Sequence, residues 1–471
     1  MVNPHGTASG GRAVRQSIKK GRKSMSLMDQ YKKKLVSAEQ AARVVKSGDF
    51  VEYGSFLGMV RACDKALAAR KAELKDVIVR SCVTAYAPEV LLADPKGETF
   101  TWVSWHFSGA DRKFADKGIP MYYTPIKYSE VPRLCRTEGN DIDVFMLQVN
   151  PMDKNGFFNF GPQCSMSKAL CERAKTIIVE VNKNQPRCLG GYEEAVHVSE
   201  VDYIVEGENP PLTQIPAPPI SEVDRKVAWY IVEEMKDGSC IQLGIGGMPN
   251  AVGMMLAESD LKDLGCHTEM LVDAYVHMFN AGKLTGTKKQ LDPGKLVYTF
   301  ALGTQILYDF LNDNPWCATY PVNYTNTPSI AAKNDNLITI NNAIEVDLYG
   351  QICSESSGFR QITGTGGQLD FLLAGFESRG GKSILCLPSS YKDKEGKTRS
   401  RIVPFLPHGG IVTATRSIAH IIVTEYGKFN LKGWNTWQRA EGLINIAHPD
   451  TREELIKAAE AQGIWRNSNK R

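Results

Sequence analysis

The sequence predicts an α/β protein with largely parallel sheets, arranged as two similar domains facing each other across a cleft. Three observations carry this. Helical patterns alternate with short apolar, strand-like runs along the chain, as parallel sheets with crossover helices require. A proline-rich stretch, "EGENPPLTQIPAPPIS" over 206–221, interrupts that alternation near the middle. The two sides of the stretch carry a faint internal repeat.

Taken in order, the candidate strands are 77–80, 144–149, 176–180, 240–244, 337–341, 383–387 and 420–424. The prolines of 206–221 exclude a helix or a central strand there. The boundary is placed near Pro216, giving a basic leader 1–27 expected to be disordered and domains 28–215 and 216–471. The repeat pairs "AARVVKSGDFVEYG" (41–54) with "AWYIVEEMKDGSCIQLG" (228–244). Both read as helix, Lys-x-Gly turn, apolar strand and glycine, and Gly48 to Gly54 has the spacing of Gly238 to Gly244. A second pair is "AKTIIVEVN" from Ala174 and "AHIIVTEYG" from Ala419. Two unrelated βα units can look this similar, but the matches together favour a duplicated architecture.

At 471 residues the chain exceeds what one core usually organises. Its 42% hydrophobic and 23% charged residues are ordinary for a globular protein. No apolar run approaches the roughly 20 residues of a membrane span, so no membrane association is expected. The 11 cysteines form neither a CxxC pair nor a Cys/His cluster at zinc spacing. No metal is expected, and reduced thiols in a cytoplasmic protein fit best. Much of the net charge of +4 lies between Arg12 and Lys34. Three readings compete for the leader: a disordered tail or over-called start, an organellar transit peptide, and a nucleic-acid arm. The rest is near neutral, so no nucleic-acid track is expected, and a homo-oligomer is left open.

Three segments carry chemistry. In "LGIGGMPNAVG" (243–253) a buried strand ends, glycines follow, and a helix starts near Pro249. Such a loop lets a ligand approach the backbone and directs N–H groups and a helix dipole at an anion. Simple helix packing is the competing reading, and no Walker or dinucleotide signature follows. Glu269 is a carboxylate in the otherwise apolar run Met270, Leu271, Val272. It reads either as a solvent-facing glutamate or as a poorly solvated nucleophile, with His267 close enough in sequence to tune it. In "GFRQITGTGGQLDFLLAG" (358–375), Gly364, Gly366 and Gly367 precede an apolar helix, and the turn at Gly367 suits donation to a developing oxyanion.

With "LGIGGMPNAVG", the strings "HTEM", "NNAIEVDLYGQ", "GTGGQLDF" and "VTEYGKFNLKG" resemble the acetyl-CoA hydrolase/transferase family. Within it, the butyryl-CoA:acetate and 4-hydroxybutyrate CoA-transferases are most alike. "WHFSG", "YYTPIKYSEVP", "NPMDKNGFFNFGP" and "YIVEGENPP" extend the resemblance from about Met28 to Trp465. It implies two tandem CoA-transferase-type (NagB/RpiA-like) domains with the active site in the cleft. It also implies transfer of CoA from a short-chain acyl-CoA to acetate through a glutamyl-CoA thioester on Glu269. Gly367 is then the oxyanion donor, with Gly364 and Gly366 in the same turn. Gly246, Gly247, Met248, Pro249 and Asn250 form the CoA loop, and Asn342, Ile344, Ser390 and Lys392 are weaker candidates for CoA or acyl contact. Coenzyme A enters as a substrate thioester, with no permanently bound cofactor. A hydrolase on the same scaffold is the nearest alternative, a 4-hydroxybutyrate or propionate CoA-transferase is another, and a non-catalytic metabolite sensor is the rival from another class.

Overall fold

The computed structural model describes residues 25–139 and 141–465. The leader expected at 1–27 lies outside them up to residue 24, and its last residues begin the structure, where Ser26 caps the helix Leu27–Lys34. Two mainly parallel sheets dominate. The N-terminal sheet contains β1 (Phe50–Tyr53), β2 (Val77–Ser81), β3 (Phe100–Ser104), β4 (Met121–Tyr123), β5 (Ile142–Val149), β6 (Ala174–Val181) and β7 (Tyr203–Glu206). Its order is β4-β3-β2-β1-β5-β6-β7, and every pairing is parallel.

The C-terminal sheet contains β8 (Cys240–Gln242), β9 (Gly265–His267), β10 (Leu296–Tyr298), β11 (Cys317–Thr319), β12 (Leu337–Asn342), β13 (Lys382–Cys386), β14 (Ile421–Thr424) and β15 (Gly427–Asn430). Its order is β11-β10-β9-β8-β12-β13-β14-β15, and only the last pairing is antiparallel. Covered on both faces, the central strands are near-continuous apolar runs, with Val51, Val79, Ile241 and Ile340 fully buried. All seven expected strands form, with ends displaced by one or two residues.

The two sheets share one strand order, and the first repeat pair falls on equivalent strands, β1 and β8. The Lys-x-Gly turns before them place Gly48 and Gly238 at φ +83° and +76°, a conformation glycine adopts without strain. The second pair does not align. The run from Ala174 is β6, whose counterpart by position is β13, whereas the run from Ala419 enters β14, the counterpart of β7. Buried parallel strands draw on the same few residues, so their likeness says little about register.

The segment 207–221 is neither helix nor strand. It is tied to both sides: Asn182 Nδ2 donates to the Pro210 carbonyl at 3.0 Å, and Tyr308 Oη donates to the Thr213 carbonyl at 2.8 Å. Across the sheets, Phe56 stacks on Phe300 with ring centroids 3.8 Å apart. In the C-terminal sheet the strand order reverses between β8 and β12, and the crevice beyond the strand ends at such a point is where α/β sheets place ligands. The glycine loop leaves β8 there, Glu269 follows β9, and Asn342 ends β12.

Candidate active site

Glu269 lies two residues beyond β9. Its carbonyl accepts the N–H groups of Thr299 at 3.0 Å and Phe300 at 3.2 Å, which fixes the backbone. Glu269 as a residue is half-buried. Asn326 Nδ2 donates to Oε2 at 2.5 Å, and the Gly367 N–H donates to the same carboxylate. Burial pushes its pKa from 4.5 up to about 8, and nearby Asp370 pushes the same way, while the Asn326 and Gly367 donors oppose both. The sequence alternative of a solvent-facing glutamate is not what forms.

Asn326 follows the short helix Val322–Thr325. His267 holds that helix: its Nε2 donates to the Thr325 carbonyl at 2.7 Å, and Asn334 Nδ2 donates to its Nδ1 at 3.4 Å. Burial lowers the His267 pKa to about 4, so the ring is neutral at physiological pH. It acts on Asn326 and not on the Glu269 carboxylate. Cys266 is buried with its thiol pKa raised by burial, which makes it a poor nucleophile.

Gly367 stands at the N-cap of the helix Gln368–Glu377 with φ −95° and ψ 7°, a conformation open to any residue. Contact is what requires glycine. A Cβ there would lie 1.7 Å from Glu269 Oε2 and 2.2 Å from Asn326 Nδ2. Gly366, at φ +51°, and Gly364 pack against His106, with Tyr123 also against Gly364. Residues of the N-terminal half hold the whole turn. Tyr128 N–H donates to the Gly366 carbonyl at 3.1 Å, Arg112 Nη1 donates to the Ile362 carbonyl at 2.6 Å, and Thr365 N–H donates to Tyr123 Oη at 2.9 Å. Ser129 Oγ donates to the buried Asp370 at 2.7 Å, and Arg360 pairs with Asp116 at 2.6 Å.

Gly246 sits at φ +134° before the helix Gly247–Glu258, so Pro249 is its third residue, not its first. The Asn250 N–H donates back to the Gly246 carbonyl at 3.1 Å, Met248 is buried, and Met248 Sδ lies 3.7 Å from Cys386 Sγ. A Cβ on Gly247 would come within 2.9 Å of Asp224 Oδ2. A carboxylate therefore already faces this helix start and complements its dipole, which qualifies the expectation of a free anion site. A Cβ on Gly246 would be 3.9 Å from Asn342 Nδ2, and Gln368 Nε2 donates to the Asn342 carbonyl at 2.7 Å. Gly246, Asn342, Gln368, Gly367 and Glu269 thus form one continuous line.

The other candidates lie farther along. Ile344 donates its N–H to the Cys353 carbonyl at 2.9 Å and accepts Arg401 Nη1 at 3.2 Å, so its backbone is already engaged. Ser390 and Lys392 belong to a hairpin in which Lys392 Nζ donates to Thr398 Oγ1 at 2.6 Å, and no described contact joins either to Glu269. Sequence reasoning missed Asn326, Gln368 and His106. His106 in "WHFSG" and Gln368 in "GTGGQLDF" stood within recognised strings without being singled out, whereas Asn326 stood in none. Among the described residues no group of three His, Cys, Asp or Glu side chains could hold a metal, and no helix is long and apolar enough to cross a membrane.

Residues 18–216 match the N-terminal domain of the acetyl-CoA hydrolase/transferase family and residues 303–459 its C-terminal domain. The chain is 54% identical to a butyryl-CoA:acetate CoA-transferase of Anaerostipes caccae, over 95% of this chain and all of that protein. It is 51% identical to a probable butyrate:acetyl-CoA coenzyme A-transferase of Syntrophomonas wolfei, over 94% and 99%. Among solved structures, RipA from Yersinia pestis superposes with a TM-score of 0.85 at 36% identity, over 93% of this chain and all of that one.

Proposed function

Because the chain belongs to the acetyl-CoA hydrolase/transferase family, we propose that it is a CoA-transferase moving CoA from butyryl-CoA or a similar short-chain acyl-CoA to acetate, with Glu269 as nucleophile. The relatives at 54% and 51% identity support the reaction class. The observation that carries the site is Glu269 itself: a carboxylate poorly solvated by burial, with Asn326 and Gly367 donating to it.

The chemistry follows from that setting. Ionised Glu269 attacks the acyl-CoA carbonyl, which forms an acyl–glutamyl anhydride and expels CoA thiolate. The thiolate then attacks the glutamyl carbonyl, leaving Glu269 as the CoA thioester and releasing the short carboxylate. Acetate reverses both steps, giving ping-pong kinetics. One carboxylate replaces another, so the exchange is nearly isoenergetic and consumes no nucleotide. The Gly367 N–H points where oxyanion charge develops, and exclusion of water protects the thioester from hydrolysis.

We read the two sheets as tandem CoA-transferase-type (NagB/RpiA-like) domains with the site in the cleft between them, the boundary near Pro216 and the protein cytoplasmic. Gly246 to Asn250, Asn342, Gly364 and Gly366 then contact CoA, with Ile344, Ser390 and Lys392 outlying. Coenzyme A is carried only as substrate. Incubating enzyme with butyryl-CoA and labelled acetate tests this: label should enter acetyl-CoA, and butyryl-CoA consumption should require acetate. Equal consumption without acetate would make the protein a hydrolase, and binding without turnover would make it a sensor.

A further inference from the structure

His106 reaches the catalytic centre from the N-terminal half, just beyond β3. Its backbone is fixed at three points: Val83 N–H and Ser104 Oγ donate to its carbonyl at 3.2 Å and 2.9 Å, and its own N–H donates to Ser104 Oγ at 3.2 Å. The imidazole has no hydrogen bond to any described residue, and part of it is open. The buried His267 differs, since both its ring nitrogens are engaged.

A carbon built on Gly366 would have His106 Cε1 and Nδ1, each at 3.4 Å, as its nearest neighbours, then Glu269 Oε1 at 4.0 Å. Those are van der Waals distances. The imidazole and the Glu269 carboxylate therefore flank the same Gly366 turn, both within 4.0 Å of one point on its surface. Burial and the charge of Arg112 lower the His106 pKa to about 4, so near neutral pH the ring is uncharged and offers one N–H donor. The CoA loop is linked to the Gly367 turn through Asn342 and Gln368.

We propose that His106 is a catalytic residue on the carboxylate side of the reaction. Its neutral imidazole donates a hydrogen bond to an oxygen of the acyl group and, in the return step, of the acceptor carboxylate in front of Gly366. This rests on the CoA-transferase reading above. A neutral donor suits the task because a fully charged partner would hold the carboxylate too tightly to let it attack the thioester.

The experiment separates the two half-reactions. His106→Phe keeps ring packing against Gly364 and Gly366 and removes the donor, whereas His106→Gln retains one. In enzyme preloaded as the CoA thioester, we expect discharge by acetate to slow at least about tenfold and its KM to rise by a similar factor in His106→Phe, with His106→Gln within about threefold of wild type. Unchanged acetate kinetics in a folded His106→Phe, checked by thermal melting, overturn the proposal. Should that variant not fold, ¹⁵N-histidine spectra of wild-type enzyme decide: acetate should shift one ring N–H resonance, and no shift overturns the proposal. If wild-type enzyme forms no thioester, the CoA-transferase reading itself fails. If it forms one and His106 is without effect, only this inference falls.

Discussion

Replacing Gly367 by alanine adds one methyl group at a position whose backbone angles, φ −95° and ψ 7°, alanine accepts. The fold should therefore survive and the damage should stay local. The new Cβ would start 1.7 Å from Glu269 Oε2 and 2.2 Å from Asn326 Nδ2. Normal contact requires roughly 3.5 Å, so the carboxylate must retreat by roughly 1.5–2 Å. Misplacement on a scale of about 1 Å can cost about a hundredfold. The Gly367 N–H also loses its alignment, and one such donor contributes about a hundred- to a thousandfold. The effects share a cause and do not simply multiply, so a fall of about 10²–10³-fold in the first half-reaction is expected. The assay is rapid-quench measurement of butyrate release from butyryl-CoA, with circular dichroism and melting as controls. Gly367→Ala at near wild-type rate with an intact fold would refute the proposed contact.

Two further predictions concern the carboxylate. Asn326→Ala removes a charge-assisted donor of about 1.5–3 kcal/mol, so thioester formation should slow by about ten- to a hundredfold. The rate, which should rise with pH as Glu269 ionises near pH 8 in the wild type, should show its midpoint at higher pH in the variant; an unmoved pH–rate profile would count against it. Glu269→Gln tests the same pKa through stability. Because the folded-state value of about 8 exceeds the ordinary 4.5, the folded state holds a proton more tightly than the unfolded state does. That stabilisation is fully present below about pH 4.5 and is lost as pH rises through about 8. The variant should therefore gain on wild type by a few degrees of melting temperature between pH 5 and pH 9, and a constant difference across that range would disprove the shift.

The strands were legible because parallel strands buried on both faces leave unmistakable apolar runs, and 144–149 or 337–341 could hardly be anything else. The glycine turns were legible as turns, but the carboxylate and amide that forbid a side chain at Gly367 were not. Asn326 was hidden. It stands 57 residues from its partner and is brought there by the short helix after Pro321 that His267 anchors. No local pattern marks such a residue. Asp224 beneath Gly247 was equally invisible, since sequence showed the helix start and not the side chain that faces it. The second repeat pair shows the reverse fault, a similarity that composition alone explains.

The central claim is that Glu269 carries CoA covalently. Enzyme incubated with butyryl-CoA and no acceptor should gain the mass of CoA less one water, localised by peptide mapping to the fragment containing Cys266, His267, Thr268, Glu269 and Met270. Acetate added beforehand should remove the adduct. Borohydride should reduce the thioester and abolish activity. Glu269→Gln should form no adduct, and Glu269→Asp, with the carboxylate withdrawn by roughly 1 Å, should form it about a hundredfold more slowly. An adduct on Cys266, or full activity in Glu269→Gln, would contradict the account.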